Sequence, residues 1–290
     1  MESARTLRTQ EGVTIAYRAS RVAAPRGMLV LLHGLASNLS RWSEFVATTR
    51  LAQTWDMVRL DLRGHAGSLC RGRIGMHEWC SDIAAILRAE GAPRALLVGH
   101  CLGANVALWF AQRMPQATSG LVLIEPMFRQ ALRGPLATVA AWRPLLALLV
   151  PALRALAALG VHRRRLAALD LAALDREARA AMARHGGGFP EQRYASPLED
   201  LKSFPLVVYL QDLLAVTGPL PELAAIGAPA LALISTGTTL GNPEIAAQLL
   251  GRLPHGEIAR IAAQHWIPTE QPEAMTALIE RWCEQFAGAP

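Results

Sequence analysis

The sequence predicts an α/β fold, a mostly parallel central sheet with helices on both faces and an inserted helical cap. Three observations carry this. Short apolar runs alternate with amphipathic segments along most of the chain, the pattern of strands joined through crossover helices. The runs are nearly continuous in apolar residues, as strands covered on both faces require. One stretch, 127–223, breaks the alternation with Ala/Leu-rich helical segments and no convincing strand.

In order, strands are expected at 28–32, 57–60, 95–98, 121–124 and 231–234, with a weaker one at 257–261. Between them, Trp79, Ile83, Ile86 and Leu87 mark one helix stripe, closed by Gly91. Met275, Leu278, Ile279, Trp282 and Phe286 mark another, entered through Pro272. Both stripes read as core-facing sides. Within 127–223, Ser196-Pro197-Leu198-Glu199 has the form of a capping box with proline at the first helical position, and Gly186 to Gly188 form a triple glycine. The expected division is a core from 1–126 and 224–290, and a cap from 127–223.

Composition narrows the function. With 290 residues, 52% of them hydrophobic, the chain is near the size of roughly 250–300 residues at which a single core stops growing. Its formal charge is +6, carried almost wholly by arginine, with Lys202 the single lysine. The arginines are scattered, apart from Arg163-Arg164-Arg165, which reads as a solvated cap surface. No basic stripe with interleaved aromatics appears, which argues against nucleic acid as a partner. The four cysteines, Cys70, Cys80, Cys101 and Cys283, lack metal-ligand spacing. Free thiols in a reducing compartment, a cytoplasmic location and no metal or organic cofactor are therefore expected. Residues 1–18 are polar and mixed, unlike a signal peptide. The apolar region 136–161 is interrupted by Arg143, Pro144, Pro151 and Arg154, so no transmembrane segment is expected.

The chemistry centres on Gly99-His100-Cys101-Leu102-Gly103, which follows a strand and opens a helix expected to begin near Ala104. A nucleophile on so sharp a turn needs small residues two positions to either side. The helix N-terminus beneath it favours an anion, hence the thiolate. By itself the pentapeptide equally suits a buried, inert cysteine beside a glycine-lined turn.

Four landmarks resolve that choice through a resemblance to the α/β-hydrolase family, covering most of the chain outside the cap. His33-Gly34-Leu35 resembles the family's oxyanion-hole turn. The segment Asp61 to Ser68 is similar to its D-x-R-G-x-G-x-S motif, with Ala66 in place of a usual glycine. Gly99 to Gly103 resembles the nucleophile elbow, and Gln264-His265-Trp266 stands where the family places its general base. A cysteine at the elbow is similar to dienelactone hydrolases, which lack a large cap, and to polyhydroxyalkanoate synthases, which are longer. The loop after the strand at 231–234 usually supplies an aspartate, yet none occurs there. Glu125, ending the preceding strand, stands where some haloalkane dehalogenases carry their acid; its other reading is a residue capping the strand against Pro126.

The resemblance implies catalysis by Cys101, His265 and Glu125, with backbone N–H groups of Leu35 and Leu102 holding an oxyanion. His100, Ala36 and Trp266 are candidates to line the pocket. His33 reads as structural; Asp61 and His65 read as loop braces. The implied function is hydrolysis of an ester, thioester or lactone of an apolar acyl group, free or carrier-linked. The alternatives are acyl transfer to an acceptor other than water, and a non-catalytic ligand-binding protein of the same fold. The sequence leaves the oligomeric state open.

Overall fold

The computed structural model describes residues 2–185 and 189–286; the triple glycine at Gly186 to Gly188 lies outside them. Eight strands form one sheet: β1 (Ser3–Arg8), β2 (Thr14–Ser20), β3 (Met28–Leu32), β4 (Asp56–Leu60), β5 (Ala95–His100), β6 (Thr118–Ile124), β7 (Ala230–Ser235) and β8 (Gly256–Ile261). Their order is β1-β2-β4-β3-β5-β6-β7-β8. Strand β2 runs antiparallel to both of its neighbours, and all other pairings are parallel. The six expected strands are all present.

The hairpin β1–β2 corrects the sequence reading, which had no strand there. Its outer strand is exposed along almost its whole length, so no apolar run announces it. Only Ile15, Tyr17 and Ala19 of β2 are buried, a period-2 signal too short to stand out. The turn between them is closed by Gly12 at φ 78°, a left-handed conformation that glycine adopts without penalty.

Twelve α-helices complete the described residues: α1 (Ser43–Thr48), α2 (Met76–Ala89), α3 (Leu102–Arg113), α4 (Gly134–Ala141), α5 (Arg143–Ala158), α6 (Leu171–His185), α7 (Glu191–Tyr194), α8 (Pro197–Ser203), α9 (Leu206–Val216), α10 (Pro243–Leu250), α11 (Ile267–Glu270) and α12 (Pro272–Phe286). The pleat of β3 divides the core in two. Met28, Val30 and Leu32 face a cluster with Trp79, Ile83 and Phe110 of α2 and α3. Leu29 and Leu31 face a second cluster with Trp42, Phe45, Ile279 and Trp282. Each large aliphatic or aromatic side chain so buried contributes about 1.5–3 kcal/mol.

Between β6 and β7 the described residues hold the six helices α4 to α9 and no strand. Buried polar contacts fasten this insertion to the core. Arg41 ion-pairs with Asp175 of α6, which also accepts hydrogen bonds from Tyr194 of α7 (2.9 Å) and Thr269 of α11 (3.0 Å). His65 Nε2 lies 2.9 Å from Asp212 of α9, both fully shielded from solvent. Gln211 of α9 accepts from the Ile74 N–H (3.1 Å) and donates to the Gly72 carbonyl (3.1 Å).

The loop after β4 contains a local misfit. Ala66, where the similar motif has glycine, sits at φ 36°, a region that costs a residue with a side chain about 1–3 kcal/mol. Glycine relieves that strain but forfeits about 0.5–1 kcal/mol of backbone entropy. Ala66→Gly is therefore expected to raise the midpoint of thermal unfolding by about 2 °C. An unchanged or lower midpoint in a melting experiment would contradict this account of the loop.

Candidate active site

The candidate residues gather at the carboxyl ends of neighbouring strands, where open α/β sheets place ligands. Cys101 directly follows β5 and caps α3, with φ 54° and ψ −118°. This is a strained backbone for any residue with a side chain. The strain is held by the flanking glycines. A Cβ at Gly99 would strike the Gly103 carbonyl and come within 2.5 Å of the Ala104 nitrogen. One at Gly103 would fall 2.6 Å from the His33 carbonyl oxygen. Helix α3 begins at Leu102, two residues earlier than the sequence suggested, so the Leu102 N–H is among those a helix leaves without an internal partner. The turn His33-Gly34-Leu35 lies against the same spot: a Cβ on Gly34 would be 3.1 Å from that of Cys101.

His265 is buried, hydrogen-bonds Glu125 and adjoins Cys101. Its Nδ1 stands 3.0 Å from Glu125 Oε2; a carboxylate only accepts, so Nδ1 carries the proton. The Cys101 side chain lies near enough to the same ring to act on its titration. Burial by itself would push the imidazole pKa down. The hydrogen bonds and charges of Cys101 and Glu125 outweigh that and carry it up to about 10, as opposite charges at close range do.

Glu125 stands at φ 49° immediately after β6. Its Oε1 accepts from the Ser235 N–H at the end of β7, so the carboxylate spans the two strand ends. Asn105 of α3 holds the outgoing chain, donating to the Met127 carbonyl (2.6 Å) and accepting from the Met127 N–H (2.8 Å).

The loop bearing His265 is fixed from three directions. The Glu270 carboxylate accepts from the consecutive backbone N–H groups of Gln264 (2.9 Å), His265 (3.2 Å) and Trp266 (2.9 Å). Ser235 Oγ donates to the Gln264 carbonyl (2.7 Å). His100 Nε2 donates to the His265 carbonyl (3.2 Å); burial first, and the adjacent His265 second, press its pKa well below the ordinary histidine value. Sequence reasoning missed Glu270, Ser235 and Asn105. The available signals were a glutamate five residues after His265 and an asparagine four after Cys101.

His33 is structural in geometry. The Leu62 N–H donates to its Nε2 (3.0 Å), so Nδ1 carries hydrogen and donates to the Gly34 carbonyl (2.8 Å). Asp61 accepts from the N–H groups of Leu39 (2.8 Å) and Gly67 (3.0 Å), joining two loops. Cys80 and Cys283 are buried away from the site, and burial drives both thiols up to about 12.

A cavity of about 670 Å³ reaches Cys101 and His265, a volume suited to a small organic ligand. Ala36, His100 and Trp266 line it, as do Leu35 and, from the insertion, Leu136, Val139, Leu171, Leu174 and Leu213. Its wall is mainly apolar, with Arg41, Arg193, Lys202, Glu199 and Asp200 as charged members.

If Glu125 holds the imidazolium in a working enzyme, its removal changes the pH profile. Glu125 raises the pKa of His265, so Glu125→Gln lets the ring lose its proton at lower pH. The alkaline limb of kcat/KM, expected near 10 in the parent protein, should move down by about one unit or more. An unmoved limb in the variant would remove Glu125 from the coupled set.

Known proteins place this architecture. Residues 27–272 match the model of the alpha/beta hydrolase fold family. Among curated relatives, an uncharacterised protein of Mycobacterium tuberculosis is 32% identical over 109 residues, 37% of this chain and 31% of its own. A pimeloyl-[acyl-carrier protein] methyl ester esterase of Sodalis glossinidius is 38% identical over 96 residues, 33% of this chain and 35% of its own. The matched stretch thus spans about a third of the length of these relatives. Similar solved structures include a hydrolase from Pseudomonas aeruginosa PA01 (TM-score 0.69, 22% identity, 99% of this chain and 98% of that one). Another is the enol-lactonase from Burkholderia xenovorans LB400 (TM-score 0.69, 18% identity, 97% and 100%). At such identities the structures speak for the fold alone; with the family match over residues 27–272, the chain belongs to the alpha/beta hydrolase fold family.

Proposed function

We propose that this protein is a hydrolase of an ester, thioester or lactone with an apolar acyl group, acting through a Cys101 acyl-enzyme. The observation that carries the reading is the His265–Glu125 hydrogen bond, with Cys101 beside the same ring and both Cys101 and His265 lining the mainly apolar cavity. The helical insertion serves as its cap.

In the resting enzyme His265 already holds the thiol proton, in keeping with its raised pKa, and the thiolate attacks the acyl carbonyl. The tetrahedral oxyanion is held by the backbone N–H groups of Leu35 and Leu102, each such donor being worth about 3 kcal/mol in the barrier. The imidazolium, kept protonated by Glu125, delivers its proton to the leaving alcohol or thiol. Water, deprotonated by the same ring, then releases the acid and restores the thiolate. An acyl-thioenzyme is itself an activated acyl group, which favours esters, thioesters and lactones over amides as substrates. Similarity to the esterase of Sodalis glossinidius over 96 residues supports this class of chemistry.

Cys101→Ala is expected to lower turnover of a panel of aryl esters and acyl thioesters by at least about a thousandfold. In the parent protein, intact-mass spectrometry after brief exposure to the same donors should show one acyl adduct on Cys101. Undiminished turnover by the variant would remove the proposal. If an added alcohol or amine collected most of the acyl group, the reaction would be transfer rather than hydrolysis.

A further inference from the structure

The outer face of α4 and α5 breaks the usual rule for a surface helix. Val150 and Ala157 of α5 are buried inward, while Leu145, Leu149 and Leu156 follow one another along its outward side, each more than two-fifths exposed. Leu148 is 74% exposed, Leu159 79%, and Trp142 at the bend between the helices 59%. A helix packed on a soluble core normally turns its polar side outward, and a continuous apolar ridge of this kind marks a contact surface.

The charge around the ridge identifies the partner. Between Glu125 and Asp170 the chain has seven arginines and no aspartate or glutamate. Three of them, Arg163, Arg164 and Arg165, follow the ridge directly and are exposed. An apolar face with an exposed tryptophan, followed by an arginine-rich segment that has no acidic residue of its own, fits the boundary of an anionic bilayer, where apolar burial and lipid charge act together. The helices meet at 75°, and among the described residues no single helix is long and apolar enough to cross a membrane. That geometry suits helices lying along a surface. Helix α4 also supplies Pro135, Leu136 and Val139 to the wall of the large cavity, so the docked face adjoins the binding space.

We propose that the α4–α5 face docks on anionic lipid bilayers. This stands apart from the acyl chemistry, because docking is read without substrate.

The test is flotation of the full chain with two kinds of vesicle, pure phosphatidylcholine and equal parts phosphatidylcholine and phosphatidylglycerol. The protein should float with the anionic vesicles and far less with the neutral ones, and added salt should reduce the binding by screening. The double variant Leu148→Glu, Leu159→Glu changes two exposed side chains outside the cavity. It should weaken binding on the order of tenfold or more while leaving the circular dichroism spectrum and melting midpoint unchanged. No flotation with anionic vesicles, or flotation that the double variant leaves intact, would overturn the proposal. So would light scattering that showed a stable dimer converted to monomer by the same two changes, since a second copy would then be the partner of this face.

Discussion

The turn at Cys101 is the constraint from which the site is built. A residue at φ 54° with a side chain is unstable in isolation and persists here because β5 and α3 grip both ends. The Cys101 N–H donates to the Ile124 carbonyl (2.9 Å), and its own carbonyl accepts from Ala104 (3.0 Å). Those bonds register the cysteine against the end of β6, where Glu125 follows. Two adjacent strand ends thereby set the separation between thiol and carboxylate, and His265 fills the gap. The histidine loop brings little regularity of its own, which is why Glu270, Ser235 and His100 together occupy its backbone groups.

A second layer of polar contacts relates the insertion to this centre. Arg41 and Asp175 are 134 positions apart and buried together; removing either partner would strand a charge at a cost of about 3–5 kcal/mol. Their contacts with Tyr194 and Thr269 join the segment after β3, the insertion and α11, and Arg41 and Tyr194 themselves line the cavity. His65 and Asp212 form a second buried link, between the loop after β4 and α9. The insertion is thus anchored by direction-specific contacts on its inner side, while its outer side at α4–α5 carries the apolar ridge.

Much of this was legible in the sequence, for identifiable reasons. Strands buried on both faces leave uninterrupted apolar runs, so β3 to β7 could be read directly. The elbow, the His33-Gly34 turn and His265 are local patterns whose spacing is set by backbone geometry. Glu125 could be nominated because it ends a readable strand while the loop after β7 has no carboxylate. The exposed β1 strand left no apolar signal. Glu270 and Asn105 act on backbone groups, which any residue could have provided, so no sequence pattern advertises the contact. The Arg41–Asp175 link depends on how the insertion folds back, which local periodicity does not encode.

On the proposed reading, His265 is what makes the Cys101 sulfur nucleophilic. Residue-resolved alkylation by iodoacetamide at neutral pH, followed by mass spectrometry in the parent protein and in His265→Ala, tests it most directly. Cys101 is expected to be modified well ahead of the partly exposed Cys70, with that lead lost in the variant. Equal rates at Cys101 with and without the imidazole would contradict it.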